Sequence, residues 1–279
     1  MSAIAPSKGS KVVAYAVLTI AAVAALFPIF WTLSTSIKNR VDSFAIPPTF
    51  FDFEPTWANY RNLFGDDLFV RFLVNTVIVT VVSTMMSLVI GSMTAYALAR
   101  TRRFRGRRAL EASLIVVRAM PGIVLMIPLF RLVLTLGLFD NIWVMCLVYA
   151  TVNLPFTVWV MTSFIDQIPY DLEESALVDG AGRWSVLFRV VLPVAAPGLA
   201  ATGIFVALLA WNEFLIPVVI ADVNAKVLPV FIAGFISART LDWGPMAAAS
   251  SLAIIPIALL TVAMQRKLVA GLSQGALKE

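Results

Sequence analysis

The sequence predicts an all-α membrane protein with six transmembrane helices, and composition is the first observation that indicates this. Hydrophobic residues make up 60% of the 279 residues and charged residues only 13%, well below the ~25% of an ordinary soluble domain. The mean hydropathy is +0.91. A soluble domain of this size needs more polar groups to cover its surface. Disorder is excluded because the chain has ample apolar area to bury.

Stretches free of charged residues are the second observation, and they locate the helices. The hydrocarbon core of a bilayer, ~30 Å thick, needs ~20 apolar residues in helical form. Five charge-free windows are longer than this: 12–37, 72–99, 141–165, 190–212 and 243–265. A sixth apolar stretch, 110–134, carries Glu111, Arg118 and Arg131. Within one transmembrane domain, 1–279, the expected spans are 12–35, 72–99, 110–134, 142–164, 198–220 and 244–264.

The distribution of arginine and lysine is the third observation, and it orients the helices. Six spans place both termini on the same side of the membrane. Segment 100–108, on that side, has six arginines in nine residues and no acid. This side holds 13 of the 21 Lys and Arg residues, against 6 in the opposite loops. The positive-inside rule therefore places both termini in the cytoplasm. A surface for lipid or a partner is the alternative role of the arginines.

Two further expectations concern the first span and the loop that follows it. The first span is expected to be an uncleaved anchor, because it is too long for the apolar core of a signal peptide and no clear cleavage site follows it. The next loop, 36–71, is aromatic and contains Pro47, Pro48 and Pro55. We expect this loop to form an external cap or short interfacial helices.

Missing residue types limit the chemistry of the chain. There is no histidine and only one cysteine, Cys146. Histidine-dependent triads and most zinc sites are therefore excluded, and no intrachain disulfide can form. No segment matches G-x-x-x-x-G-K-[ST], so nucleotide phosphates are expected to bind to another chain. The net charge of +5 does not indicate a nucleic-acid partner, because the positions of the charges follow membrane topology.

The cytoplasmic connection 165–197 is expected to contain a short helix. Asp171 can act as its N-cap, with Glu174 three residues later as in a capping box. Leu172 and Ala176 lie one turn apart and share a small apolar face. Helices that lie on lipid are usually basic on their polar face, whereas this one is acidic. A groove in a partner protein therefore suits it better than a membrane surface.

A glycine turn and a second helix are expected to follow. Gly180 and Gly182 break the first helix after Asp179. The second helix covers Arg183–Leu192 and ends at Pro193, which cannot continue the hydrogen-bond ladder. The connection therefore predicts a helix, a turn and a second helix at the membrane surface.

The spacing in this connection resembles the EAA loop of ABC importer permeases. The match is Glu174-Ser175-Ala176-x3-Gly180-x9-Val190-x-Leu192-Pro193, and it departs from the family pattern only at Ser175, where the family usually has alanine. In that family the loop docks into a cleft of a cytoplasmic ATPase subunit. The resemblance implies ATPase-coupling roles for Leu172, Glu173, Glu174, Ser175, Ala176, Asp179, Gly180, Gly182, Leu192 and Pro193.

Other segments extend the resemblance over nearly the whole chain. They are Arg118-Ala119-Met120-Pro121, Ile127-Pro128-Leu129, Trp211-Asn212-Glu213-Phe214 and the tail 271–278. Together they are similar to the second permease of maltose- and trehalose-type systems. The resemblance implies a type I, MetI-like permease fold in a prokaryotic cytoplasmic membrane, with both termini in the cytoplasm.

The same resemblance implies partners and a cargo. The partners are a second permease subunit, cytoplasmic ABC ATPase subunits that bind ATP and Mg²⁺, an extracytoplasmic sugar-binding protein and membrane lipid. The cargo is expected to be a disaccharide, with trehalose or maltose as the first choice. No catalytic residue, metal ligand or bound cofactor is expected in this chain itself.

Polar and aromatic side chains within the spans are candidates for a sugar path, because polar groups are costly at membrane depth. Amides offer sugar hydroxyls both donors and an acceptor. Pro217 removes a backbone donor and leaves the carbonyl of Glu213 free. The candidates are Asn153, Asn212, Glu213, Tyr149, Trp211, Phe214 and Arg118. Hydrogen bonding between helices is the alternative role, and the different depths of Arg118 and Glu213 disfavour a direct ion pair.

Two other classes of function are weighed on the sequence alone. An ion-coupled secondary transporter would work as a homodimer of six-span halves, with Glu213 as its proton site. An intramembrane aspartyl enzyme would need two acids within the spans. Only Glu213 lies well inside one, so the enzyme class is disfavoured.

Overall fold

The computed structural model describes residues 8–101, 106–236 and 242–275, and for 263–275 it describes the backbone alone. Parts of the arginine segment 100–108 and of the tail 271–278 lie outside these residues. All regular elements in the described ranges are helices. They are α1 Lys8–Ser36, α2 Arg40–Ser43, α3 Ala58–Phe64, α4 Asp67–Arg100, α5 Arg107–Ala119, α6 Gly122–Thr135, α7 Ile142–Asp166, α8 Asp171–Val178, α9 Arg183–Val186, a π-helical turn Leu187–Val191, α10 Leu192–Val194, α11 Ala196–Trp211, α12 Leu215–Ile220, α13 Leu228–Ala233 and α14 Trp243–Gly275.

Four helices of the described residues are long and apolar enough to cross a membrane by themselves. They are Lys11–Ser36, Asp67–Arg100, Ile142–Asp166 and Trp243–Val262. Two further helix pairs pass the same test but are sharply bent. If each bent pair counts as one span, the described residues contain six spans. The prediction of an all-helical, multi-span membrane protein is confirmed.

The third expected span, 110–134, is not one continuous helix. Helices α5 and α6 meet at an angle of 95°. Met120, between them, is extended, with φ −67° and ψ 136°. The residue before a proline is disfavoured in helical conformation, and Pro121 has no N–H to continue the ladder. The Met-Pro pair therefore ends one helix and starts another.

The fifth expected span, 198–220, is also interrupted. Helix α11 ends at Trp211 and the chain resumes as α12 at Leu215. The carboxylate of Glu213 accepts hydrogen bonds from the backbone N–H groups of Leu215, at 2.9 Å, and Ile216, at 3.2 Å. Glu213 thus caps a new helix instead of continuing the old one.

The second helix of the cytoplasmic connection does not end at Pro193 as expected. The helical segment runs from Arg183 to Val194 and then turns by 78° into α11. Residues Leu187–Val191 form a π-helical turn, and the N–H of Leu192 bonds to the carbonyl of Leu187, five residues back. In a regular α-helix, the ring of Pro193 would clash with a carbonyl four residues back. The wider turn gives the ring room and lets the helix continue.

The contacts divide the chain into two compact units. The first comprises Met1–Asp67 and Ile232–Ile255. The segment after α1 in this unit contains α2 and α3, which confirms the expectation of short helices after the first span.

Lys38 is a buried cation in the segment after α1. Its ammonium group donates to the carbonyl of Thr49 and lies 4.5 Å from the ring centre of Trp31 and 4.9 Å from that of Phe53. These two cation–π contacts compensate for the hydration that the ammonium group loses.

The second unit comprises Leu68–Phe231 and Pro256–Glu279. Its helices α4, α7 and α11 approach closely because the contact faces carry small residues. A Cβ atom added to Gly91 would lie 2.5 Å from the side chain of Thr157, and one added to Gly198 would lie 2.5 Å from the ring of Phe164. The hydroxyl of Ser87 donates to the carbonyl of Ala150 at 3.0 Å.

Candidate functional site

The short helix predicted in the cytoplasmic connection is present as α8, but its start differs from the expectation. Asp171 is the first helical residue, and the preceding Tyr170 already has helical angles, φ −66° and ψ −27°. A side-chain N-cap needs an extended backbone, and no side chain caps this helix. The predicted capping box of Asp171 and Glu174 is therefore wrong. The acids still lie in the first turn, where the helix dipole favours negative charge.

The end of α8 agrees with the prediction. Gly180 adopts φ +88°, a conformation that favours glycine. The N–H of Ala181 bonds to the carbonyl of Ala176 at 2.9 Å, and the N–H of Gly180 bonds to that of Leu177 at 3.0 Å. This pair of hydrogen bonds is a Schellman motif, which satisfies the last carbonyls and reverses the chain.

The predicted coupling residues differ in exposure. Most are exposed on α8 and the turn after it: Leu172, Glu174, Ser175, Asp179, Gly180 and Gly182. Ala176 and Leu192 are half-buried against an apolar cluster formed by the ends of α4 and α7 with the second helix, while Pro193 is exposed. Glu173 is the exception, with only 2% of its surface exposed.

Glu173 points into the unit and is bound by α4. Its Oε1 accepts a hydrogen bond from Nε of Arg100 at 2.5 Å, and its Oε2 accepts one from the hydroxyl of Tyr96 at 2.9 Å. Sequence reasoning missed both partners. It counted Arg100 only as part of the arginine topology signal. Neither Arg100 nor Tyr96 carries a local signal that points to Glu173, which is 73 and 77 residues away, respectively.

The polar break between α11 and α12 holds three of the candidates for the sugar path. Asn212 and Phe214 are exposed, and Glu213 is half-buried. The hydroxyl of Tyr149 donates to the carbonyl of Glu213 at 3.4 Å, so the carbonyl that Pro217 leaves without a backbone donor has a side-chain partner. Trp211, directly before the break, is buried.

The remaining two candidates are Asn153 and Arg118. Asn153 is buried in α7 and donates to the carbonyl of Tyr149 at 3.0 Å. Arg118 is exposed at the end of α5, 5.7 Å from the ring centre of Phe156. Of the ion pairs between described residues, none joins Arg118 to Glu213. Tyr149 therefore contacts both Glu213 and Asn153, whereas Arg118 lies against the ring of Phe156.

Asp140 is a further organising residue that the sequence did not reveal. It precedes α7, and its carboxylate accepts hydrogen bonds from four consecutive backbone N–H groups, 222–225, at 2.9–3.2 Å. Partial burial alone would raise the pKa of Asp140, but the hydrogen bonds from these amides outweigh it and lower the pKa to about 2. At the same loop, Asn75 donates to the carbonyls of Asn224 and Lys226.

The described part of the chain offers no candidate metal site. Among its residues, no three His, Cys, Asp or Glu side chains lie close enough together to hold a metal ion. The second unit offers instead an exposed helix, α8, and a polar break between α11 and α12.

Comparison with known proteins places these features in a family. The family model described as "Binding-protein-dependent transport system inner membrane component" matches residues 87–274. The sulfoquinovosyl glycerol transport system permease protein SmoH of Agrobacterium fabrum is 35% identical over 285 aligned residues, which cover 100% of both chains. The trehalose transport system permease protein SugB of Mycobacterium tuberculosis is 36% identical over 260 residues, which cover 91% of this chain and 93% of the relative.

A solved structure supports the same fold. It is the crystal structure of a bacterial ABC transporter involved in the import of the acidic polysaccharide alginate, and one of its chains matches with a TM-score of 0.78 and 23% identity. The match covers 95% of this chain and 99% of that chain.

These similarities first define the class of protein, which is an integral membrane permease. More particularly, the chain belongs to the family of binding-protein-dependent transport system inner membrane components. It is a permease subunit of an ABC sugar importer, with several membrane-spanning helices in the inner membrane.

Proposed function

We propose that this chain forms half of the translocation path of an ATP-driven disaccharide importer. A second permease subunit forms the other half, and an extracytoplasmic sugar-binding protein delivers the cargo. Cytoplasmic ATPase subunits bind ATP and Mg²⁺ and dock onto α8 and its glycine turn. When these subunits close on ATP, they displace α8, and the attached helices reverse the access of the path.

The exposed helix α8 is the observation that carries the docking part of the proposal. Its small, exposed side chain at Ser175 permits close approach by a partner. Val178, at its end, is 87% exposed, which is costly for an apolar side chain in water and favours a protein partner. Glu174 adds an exposed charge beside this surface, so an ATPase cleft with a basic group would complement it.

The break between α11 and α12 carries the path part of the proposal. Asn212 and Phe214 offer an exposed amide and an exposed aromatic face, which are suited to the hydroxyls and the apolar face of a sugar. Glu213 is bound to the start of α12, and Tyr149 and Asn153 are buried behind it. We therefore assign sugar contact to Asn212 and Phe214, and support of the break to the other three.

The identity of the cargo as a disaccharide is the most specific part of the proposal. The relative from Mycobacterium tuberculosis is named for trehalose transport, and the motifs resemble those of maltose- and trehalose-type permeases. The relative from Agrobacterium fabrum is named for a different compound, sulfoquinovosyl glycerol. Because relatives of similar identity differ in cargo, uptake by the assembled complex, screened with trehalose, maltose and other disaccharides, is the direct test.

An ion-coupled homodimer is the alternative that the sequence left open. Family membership favours the ATP-driven mechanism, and Glu213 is engaged by two backbone amides instead of standing free as a proton site. An uncoupler that abolishes uptake while ATP is maintained would reverse this preference.

The docking proposal is tested in the complex assembled with its partner subunits. Glu174→Gln removes an exposed interface charge and is expected to lower transport-coupled ATP hydrolysis about tenfold, as truncation of a charged interface group does. Gly180→Ala places a side chain at φ +88°, which costs about 1–2 kcal/mol, and is expected to weaken docking. Gly182→Ala is the matched control, because it adds the same methyl group to the same turn at an ordinary φ of −74° and so separates the backbone cost at Gly180 from the effect of added bulk. Unchanged transport in both test variants would refute the docking role.

The path proposal is tested by transport kinetics. Asn212→Ala and Phe214→Ala are expected to raise the apparent KM for the sugar several-fold while the amount of bound ATPase subunit stays unchanged. Arg118→Gln, at an exposed residue that lies against Phe156, serves as the control. If the KM responds to Arg118 and not to Asn212 or Phe214, the path has been assigned to the wrong residues.

A further inference from the structure

We propose that Glu173 is a positioning residue that fastens α8 to the cytoplasmic end of α4, so that displacement of the docking helix moves a membrane-spanning helix. This inference rests on the proposed docking role of α8. The resemblance groups Glu173 with the residues that face the ATPase, but the geometry gives it a different task.

Both carboxylate oxygens of Glu173 are held by one helix. Arg100 donates to Oε1 at 2.5 Å and Tyr96 donates to Oε2 at 2.9 Å. Tyr96 and Arg100 are one turn apart on α4, so they form a two-pronged clamp. Because each oxygen has a separate donor on the same helix, the carboxylate cannot rotate or slide without breaking a hydrogen bond. The attachment is therefore directional.

Arg100 also contacts the chain segment that leads into α8. Its second nitrogen, Nη2, donates to the carbonyl of Ile168 at 3.2 Å. Its guanidinium carbon lies 5.9 Å from the ring centre of Tyr170, within the range of a cation–π contact. The guanidinium of Arg100 thus connects α4 both to α8 and to the segment between α7 and α8.

The burial of this pair points to positioning more than to adhesion. Side-chain exposure is 12% for Arg100 and 2% for Glu173. A buried ion pair contributes little stability compared with an apolar pair of the same volume, because both charges lose their hydration. Apolar contacts of Ala99, Ile165 and Leu187 already hold the elements together in the same cluster. The ion pair adds a fixed geometry.

The side chains of the two adjacent acids of α8 therefore face opposite ways. Glu173 is buried against α4, whereas Glu174 and Ser175 are exposed. A partner can occupy the exposed face while Glu173 stays bound. This division provides a control within the same helix, because a change at Glu174 alters docking and a change at Glu173 alters only the transmission of movement after docking.

The test compares variants in the full complex reconstituted in liposomes, with two readouts: the amount of ATPase subunit that copurifies, and the sugar transported per ATP hydrolysed. For Glu173→Gln and Arg100→Gln, we expect normal copurification and a transport-to-hydrolysis ratio lowered at least about fivefold, a typical size of coupling between sites. The exchange variant, Arg100→Glu with Glu173→Arg, is expected to recover part of the ratio. Glu174→Gln is expected to lower copurification instead.

Two further variants separate positioning from stability. The apolar pair Arg100→Met with Glu173→Leu keeps the volume and is expected to fold and bind the ATPase but to transport poorly for each ATP. If single variants do not assemble, Tyr96→Phe removes one hydroxyl only and is expected to lower the ratio less. A wild-type ratio in the assembled apolar pair or in Tyr96→Phe would overturn the positioning role. Failure of wild-type complex to bind the ATPase through α8 would instead refute the proposed function.

Discussion

A single carboxylate shows how much one residue can organise. Asp140 has φ +59°, a left-handed conformation that aspartate and asparagine tolerate better than most residues. This conformation aims its carboxylate at the loop 221–227, whose amides surround it. The loop lies on the side that the charge distribution assigns to the exterior, so we expect Asp140 to keep an extracytoplasmic surface rigid.

Asp140→Asn is expected to destabilise the protein by about 1–2 kcal/mol, because asparagine tolerates the same backbone but turns an amide donor toward other donors. Thermal unfolding of the purified chain in detergent at pH 7 measures this. Since folding lowers the pKa of Asp140 to about 2, its contribution is complete above the ordinary pKa near 3.8 and is lost as the pH falls from there toward 2. Between pH 5 and 8 the effect of the substitution should therefore be constant.

The control for this prediction is Asp222→Asn in the same loop. Asp222 is 73% exposed and lies 4.0 Å from Lys226, and such surface pairs contribute little. Equal melting temperatures for Asp140→Asn and the wild type, or equal losses in both variants, would contradict the assigned role.

At this scale the sequence predicts turns better than side-chain directions. Gly180 was predictable because a residue without a Cβ suits a left-handed helix end. The direction of Glu173 was not, because it depends on Arg100 and Tyr96 in a distant helix. The N-cap at Asp171 failed because Tyr170 enters the helix already in helical conformation.

At the scale of elements, hydropathy predicts where apolar helices lie but not where they break. The four continuous spans were predictable from length and charge alone. The breaks at Met120 and between Trp211 and Leu215 depend on proline and on a carboxylate that finds backbone donors, and such breaks are tolerated only where protein or water satisfies the freed groups. Both breaks fall within motifs that the sequence singled out, which is consistent with use of irregular backbone for function.

Packing between elements gives a prediction for two glycines of α11. A Cβ at Gly198 would lie 2.5–2.8 Å from ring atoms of Phe164, whereas a Cβ at Gly203 would lie 3.0 Å from the end of the Leu88 side chain. Gly198→Ala is expected to lower the free energy of unfolding by about 1–3 kcal/mol through overpacking. Gly203→Ala is expected to be nearly neutral, because the leucine can shift and alanine favours the helix. Chemical denaturation in detergent compares the two, and equal stability would show that α7 and α11 are not packed as described.

At the scale of the whole molecule, scarce charge is distributed by role. We assign the arginines to membrane topology and propose that Glu174 faces a partner, while Glu173 is bound to α4 and Asp140 to the loop 222–225. Sequence alone predicts this division between membrane and surface, since charge is excluded from apolar spans. It does not predict which charges pair, because pairing needs the tertiary arrangement. The proposed roles of α8 and of the loop held by Asp140 both depend on which side of the membrane each one faces.

The side of the membrane on which each surface lies can be measured by cysteine labelling, because the natural cysteine is buried. Cys146 is 1% exposed, so new cysteines are labelled against a low background. Ile46→Cys and Val178→Cys place thiols at residues that are 96% and 87% exposed. A membrane-impermeant maleimide is expected to label Ile46→Cys in intact spheroplasts. It should label Val178→Cys only in inside-out vesicles, prepared without the ATPase subunit so that α8 is uncovered. Labelling of Val178→Cys from outside would invert the topology, and the docking role of α8 and the outer role of Asp140 would both be lost, because each depends on the side it faces.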